Sequence, residues 1–147
     1  MVFSDNNAGS GKTVSLTGSS IDNSNYNLSL ASAPTTTADI TPKALIVAGI
    51  TAENKVYDGT TVATLDVSSA TLEGVVGAED VRLDTTSATG AFADESAGTG
   101  KTVAISGLAL GGTATLSNYT LIQPTATANI TGGNITTGGL VTATGNI

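Results

Sequence analysis

A twelve-residue phrase occurs twice in this chain. Phe3-Ser4-Asp5-Asn6-Asn7-Ala8-Gly9-Ser10-Gly11-Lys12-Thr13-Val14 returns as Phe92-Ala93-Asp94-Glu95-Ser96-Ala97-Gly98-Thr99-Gly100-Lys101-Thr102-Val103, and the match continues from Gly18 and Gly107 to Ile40 and Ile130. The period is about 90 residues, the length of a small domain, which describes beads on a string and not a solenoid of short stacked repeats. Residues 43–91 precede the second copy, and nothing before Phe3 corresponds to them. The chain therefore reads as starting in mid-repeat. Residues 1–42 are expected to be the C-terminal half of one unit, 43–131 a complete unit, and 132–147 a Gly/Thr-rich tail, with Pro42 marking the boundary.

The material available to such a unit is restricted. Two Phe, three Tyr and no Trp leave Val, Leu, Ile and Ala to form the core, and Thr, Ser, Gly and Asn fill much of the rest. That mixture favours short strands separated by polar turns. No window carries apolar residues at i, i+3, i+4 and i+7 between caps, so the expected class is all-β. Strands are expected at 12–17, 26–30 and 35–41 in the half-unit. In the complete unit they are expected at 43–51, 61–67, 81–83, 88–93, 101–106, 119–122 and 125–131, with Asp58-Gly59 as a tight hairpin turn. About seven strands suit an immunoglobulin-like β-sandwich. In the tail, short Asn-Ile-Thr and Leu-Val-Thr runs between Gly pairs fit either rungs of a β-helix or a Gly/Thr linker.

Charge and missing residue types narrow the function. A net charge of −7 without any basic cluster leaves phosphates unneutralised, so no nucleic-acid partner is expected. The longest apolar run, residues 44–50, is far shorter than the roughly 20 residues of a membrane span and reads as a buried strand. Met1-Val2-Phe3-Ser4-Asp5 has no signal-peptide character, which places any export signal outside these residues. Absence of Cys excludes disulfides, and absence of His removes the commonest general base and zinc ligand; both count against an enzyme.

Several motifs invite a chemical reading. Gly98-Thr99-Gly100-Lys101-Thr102 and its twin Gly9-Ser10-Gly11-Lys12-Thr13 end like a phosphate-binding loop. The leading Gly that such a loop needs is replaced by Glu95 and Asn6, however, and an alternating strand follows where a helix should. They read as turns. Glu79 with Asp80, and Asp94 with Glu95, could hold calcium between units, or be solvated loop acids; no other cofactor is expected. Tyr119 and Tyr26 could return their hydroxyls to the backbone as tyrosine corners. Lys43 on the first strand and Asn129 on the last could form an isopeptide bond beside Glu73 or Glu79, although the twin of Asn129 is Asp39.

Four motifs occur in an order that resembles one family. Ile40-Thr41-Pro42-Lys43-Ala44-Leu45, then Tyr57-Asp58-Gly59, then Phe92-Ala93-Asp94 with Gly98-Thr99-Gly100-Lys101, then Asn118-Tyr119-Thr120-Leu121 are similar to the YDG repeat domain of bacterial filamentous-haemagglutinin-like surface adhesins, exoproteins of two-partner-secretion type. The resemblance makes Tyr57, Asp58, Gly59, Phe92, Gly98, Gly100, Lys101 and Tyr119 structural signature residues and supplies no catalytic ones. It implies a secreted or cell-surface location in a Gram-negative bacterium and a spacer role in an extended stalk or fibre, with neighbouring repeats as the main partners. Two other roles are open: assembly, in which strands of residues 1–42 exchange with a neighbouring subunit, and adhesion to a glycan or host protein.

Overall fold

The computed structural model describes residues 1–18, 20, 23–28 and 34–135. The expected strand at 26–30 falls partly outside them, and both readings of the tail fall almost wholly outside. Among the described residues the chain is all-β, its only helical element being one 3-10 turn at Leu116–Asn118.

The half-unit forms a small antiparallel sheet from β1 (Val2–Phe3), β2 (Gly9–Ser15) and β3 (Thr35–Ile40), with β2 in the middle. Thr41-Pro42 then leads directly into the complete unit. Its strands are β4 (Lys43–Ala48), β5 (Thr51–Ala52), β6 (Lys55–Val56), β7 (Val62–Ala63), β8 (Leu65–Asp66), β9 (Thr71–Glu73), β10 (Val81–Asp84), β11 (Thr89–Phe92), β12 (Gly98–Ser106), β13 (Ala109–Gly112), β14 (Tyr119–Ile122) and β15 (Thr125–Thr131).

The largest sheet has the order β6-β15-β12-β11-β7. Its edge strands are joined by residues 57–61 alone. Laid flat, the edges of a five-stranded sheet would stand roughly 19 Å apart. A link that is itself folded into a turn cannot span that distance, and the sheet curls nearly shut into a barrel. A second sheet, β14-β4-β9, lies beside it, with β5–β8 and β10–β13 as separate antiparallel pairs. Two ladders are parallel: β4 with β14, from Lys43↔Tyr119 to Ile46↔Ile122, and β6 with β15. The chain thus meets the all-β expectation, while its ladders differ from the two antiparallel sheets of an immunoglobulin sandwich.

The core follows the strand alternation. Val103 and Ile105 point inward from β12, Leu45 and Val47 from β4, and Ala128 and Ile130 from β15, all of them buried. Ala63, Phe92, Val103, Ala128 and Ile130 fill the barrel. Val47, Ile105 and Leu108 form a second cluster, against which Leu72, Leu83 and Leu121 pack. Burying side chains of this size contributes about 1.5–3 kcal/mol each.

Three expectations change in detail. The strand expected over 43–51 breaks after Ala48, because Gly49 turns the chain at φ 81° and lies hard against the carbonyl of Ser69. The strand expected over 61–67 is two strands in different sheets, β7 and β8. Asp58-Gly59 does not close a hairpin: β6 and β7 pair with opposite edges of the barrel sheet and not with one another.

Candidate functional site

Six of the eight signature residues gather in two turns, each organised by a lysine. At the first, Lys55 on β6 donates from Nζ to Asp58 Oδ1 (2.8 Å), to the Thr60 carbonyl (2.7 Å) and to Thr60 Oγ1 (3.0 Å). Asp58 Oδ1 also accepts the N–H and hydroxyl of Thr60, each at 2.9 Å. Lys55 chiefly, with Thr60, holds the Asp58 carboxyl down to about 2. Gly59 supplies the left-handed step at φ 73°, and Tyr57 N–H donates to the Thr131 carbonyl at 2.7 Å, tying the turn to β15. Thus each residue of the Tyr-Asp-Gly motif has a task in closing the barrel. The Tyr57 ring stays half exposed.

The second turn caps β12. Asp94 Oδ1 accepts the Ser96 N–H at 2.9 Å and pairs with Lys101 Nζ, which also reaches the Ser96 carbonyl at 2.8 Å. The Lys101 ammonium is the main reason the Asp94 carboxyl lies below its ordinary value. Between Gly98 and Lys101 the ladder to β15 slips, and Gly100, at φ 60°, donates its N–H to Asn129 Oδ1 at 2.7 Å. The Gly-Thr-Gly-Lys stretch is therefore a β-bulge whose lysine is already committed to an aspartate. Its twin does the same: Lys12 pairs with Asp5, Asn7 N–H donates to Asp5 Oδ1, and Gly11 N–H donates to Asp39 Oδ1.

Tyr119 is the third anchor. Its buried ring places the hydroxyl to donate to Glu79 Oε2 at 2.6 Å and to accept the Val76 N–H at 3.2 Å. The bond to Glu79, followed by desolvation, raises the pKa of this phenol. A backbone partner exists as a tyrosine corner requires, but it lies 43 residues upstream. Tyr26 is exposed.

The candidate calcium carboxylates, Glu79 and Asp80, and Asp94 and Glu95, are spread over two turns, and three of the four hold partners. Glu79 holds Tyr119; Asp80 takes Arg82 Nε at 2.7 Å and the N–H and hydroxyl of Thr113; Asp94 holds Lys101. Among the described residues no three Asp or Glu converge as metal ligands would. Lys43 and Asn129 are not brought together: Lys43 lies exposed on β4 with its stem over Gly74, whereas Asn129 on β15, in the other sheet, caps the bulge at Gly100.

One bridge joins the half-unit to the complete unit. Asn118, in the 3-10 turn before β14, accepts the Ala8 N–H at 2.7 Å and donates from Nδ2 to Asn7 Oδ1 at 3.0 Å. A polar crevice of about 300 Å³ lies beside it, lined by Asn6, Asn7, Glu79, Asp80 and Thr113 among others. Sequence reasoning did not single out Lys55, Asn54 or Asn118 as site residues. Lys55 was detectable from its spacing to Asp58 and Thr60, whereas Asn118 opens the fourth motif but nothing local points to its partners Ala8 and Asn7, more than 100 residues away.

Fold and turns together define a small all-β domain shut by lysine-anchored turns, preceded by a three-stranded sheet that repeats the register of its second half. Residues 41–130 match the model of the YDG domain family, and the chain belongs to that family. No curated protein and no solved structure matches the chain. Among the described residues no helix is long and apolar enough to cross a membrane.

Proposed function

We propose that the chain is a non-enzymatic spacer segment of a large, exported bacterial surface protein of the filamentous-haemagglutinin-like adhesin type, in which YDG units follow one another along an extended stalk. The observation carrying this reading is the internal repetition. Strands β1, β2 and β3 rebuild the register of β11, β12 and β15, and Ile40-Thr41-Pro42-Lys43 passes from the last strand of one unit to the first strand of the next without a linker domain.

The topology suits a load. The first strand of the unit, β4, and the last, β15, both run in parallel ladders. Pulling on the two ends of the unit loads those ladder bonds along the strand direction, so they resist together instead of opening one at a time. Four of the five Lys and Arg side chains are ion-paired, which leaves few free cations for ligand capture, and the strong turns belong to the fold.

Single-molecule stretching of the chain, tethered at its two ends, tests the reading. Residues 43–131 are expected to unfold in one discrete event lengthening the chain by roughly 300 Å, the extended reach of that many residues. A featureless extension without a force barrier would sink the spacer reading.

A further inference from the structure

The sheet β1-β2-β3 reproduces β11-β12-β15 but stands without the strands that flank it. Phe3↔Val14, Lys12↔Ala38 and Gly9↔Ile40 match Phe92↔Val103, Lys101↔Ala128 and Gly98↔Ile130, including the bulge. In the complete unit β7 lines the outer edge of β11 and β6 the outer edge of β15. Ala63, Ala52 and Leu65 then cover the apolar face. Among the described residues β1 and β3 have no such neighbours. Phe92 is 3% exposed and Phe3 40%; Ala128 is buried and Ala38 exposed.

This face has not been adapted to water. Phe92, Val103, Ala128 and Ile130 are the buried residues of the second-half strands in the barrel cluster, and Phe3, Val14, Ala38 and Ile40 stand unchanged in their places. Most differences fall elsewhere: Glu95, Ser96 and Ala104 correspond to Asn6, Asn7 and Ser15, while at the margin of the cluster Ala126 corresponds to Thr36. A sheet meant to end at solvent would carry charge or Pro on its edges and polar groups on its face.

We propose that β1-β2-β3 is a docking face for the first half of a further YDG unit, a segment with the chemistry of residues 43–91. The contacts it would make are those seen within the chain. Phe92 N–H donates to the Thr61 carbonyl, Tyr57 N–H to the Thr131 carbonyl, and Asn129 N–H to Asn54 Oδ1, each at 2.7 Å; Phe3 N–H, the Thr41 carbonyl and Asp39 N–H occupy the equivalent places. A lysine equivalent to Lys55 would bring its ammonium over the Phe3 ring, as Lys55 does over Phe92. Exchange between two copies of this chain cannot fill the face, because each copy has one donor half for two acceptor sheets. The inference rests on the tandem reading given above, but it concerns residues 3–40, whereas the stretching experiment reads residues 43–131.

The test is an extended chain in which a second copy of residues 43–91 replaces Met1 and Val2, so that Ala91 joins Phe3 as it joins Phe92. Amide exchange at Phe3 and Asp39 should slow by about 100-fold or more relative to the unextended chain, because exposed edge amides gain hydrogen-bond acceptors, a carbonyl for Phe3 and an Asn side chain for Asp39. Phe3→Ala should then lower the melting temperature of the extended chain while leaving that of the original unchanged. Asn54→Ala in the added half should restore fast exchange at Asp39 alone. Unchanged exchange at Phe3 and Asp39 on extension would overturn the proposal. So would protection of both in the original chain together with dimerisation in light scattering, since the occupant would then be a second copy of this face.

Discussion

The ammonium of Lys55 stands 5.6 Å from the centre of the Phe92 ring while it donates to Asp58 and Thr60. One side chain thus connects the turn bearing the Tyr-Asp-Gly motif to the largest side chain of the barrel core. The ammonium face of the ring and the three acceptors need a cation at this point. Lys55→Met keeps most of the apolar stem and removes the charge and its donors. Its melting temperature should fall by several degrees, with Tyr57 and Thr60 amides exchanging faster than those of β12. Unchanged turn amides would show that the lysine does not hold the turn.

Acid should loosen the same turn. The folded Asp58 carboxyl titrates at about 2, below its ordinary 3.8, so its contribution to stability is complete above the ordinary value and is lost as pH falls from there through about 2. Asp5 and Asp94 are lowered in the same direction by Lys12 and Lys101. Urea midpoints should therefore hold steady from neutral pH to about pH 5 and decline between about pH 4 and 2. In Asp58→Asn that decline should be shallower, and added salt should weaken it further, since the carboxyl is exposed.

At the alkaline end the sign reverses. Tyr119 has its folded pKa raised above 10.0, chiefly by its bond to Glu79, so the stability it contributes is intact below 10.0 and fades as pH climbs through the raised value. Ultraviolet titration should show the Tyr119 phenol ionising above 10.0. Glu79→Gln removes the negative charge but keeps an acceptor, and should move the Tyr119 pKa back toward its ordinary 10.0. A Tyr119 titration untouched by this change would mean that burial alone raises it.

Much of this was legible in the sequence where the signal was local. Tyr119–Ile122 and Thr125–Thr131 alternate cleanly and form strands at the expected bounds. Phe92, singled out in the sequence as a structural signature residue, fills the barrel core. What escaped was long-range. Asp58-Gly59 carries the local chemistry of a hairpin, yet its flanking strands find partners on β15 and β11, far along the chain. Local propensity cannot reveal that choice, because burial of Phe92 and Ile130 decides it. Likewise β13, Ala109-Leu110-Gly111-Gly112, has poor strand propensity and is held by its ladder to β10.

Glycines offer a clean contrast between conformational strain and steric conflict. Gly49 and Gly100 both have positive φ, 81° and 60°. A Cβ on Gly100 would meet nothing within 4 Å, whereas one on Gly49 would lie 2.0 Å from the Ser69 carbonyl oxygen. Gly100→Ala thus carries only the left-handed penalty, about 1–2 kcal/mol. Gly49→Ala carries that penalty and must also push back the backbone at Ser69 and Ala70, next to β9, for a total of at least about 3 kcal/mol. Denaturant unfolding should find Gly49→Ala less stable than Gly100→Ala by at least about 1 kcal/mol, with β4 and β9 amides losing protection only in Gly49→Ala. Equal losses would mean that the break between β4 and β5 can shift, and that the turn at Gly49 is not what splits the first strand in two.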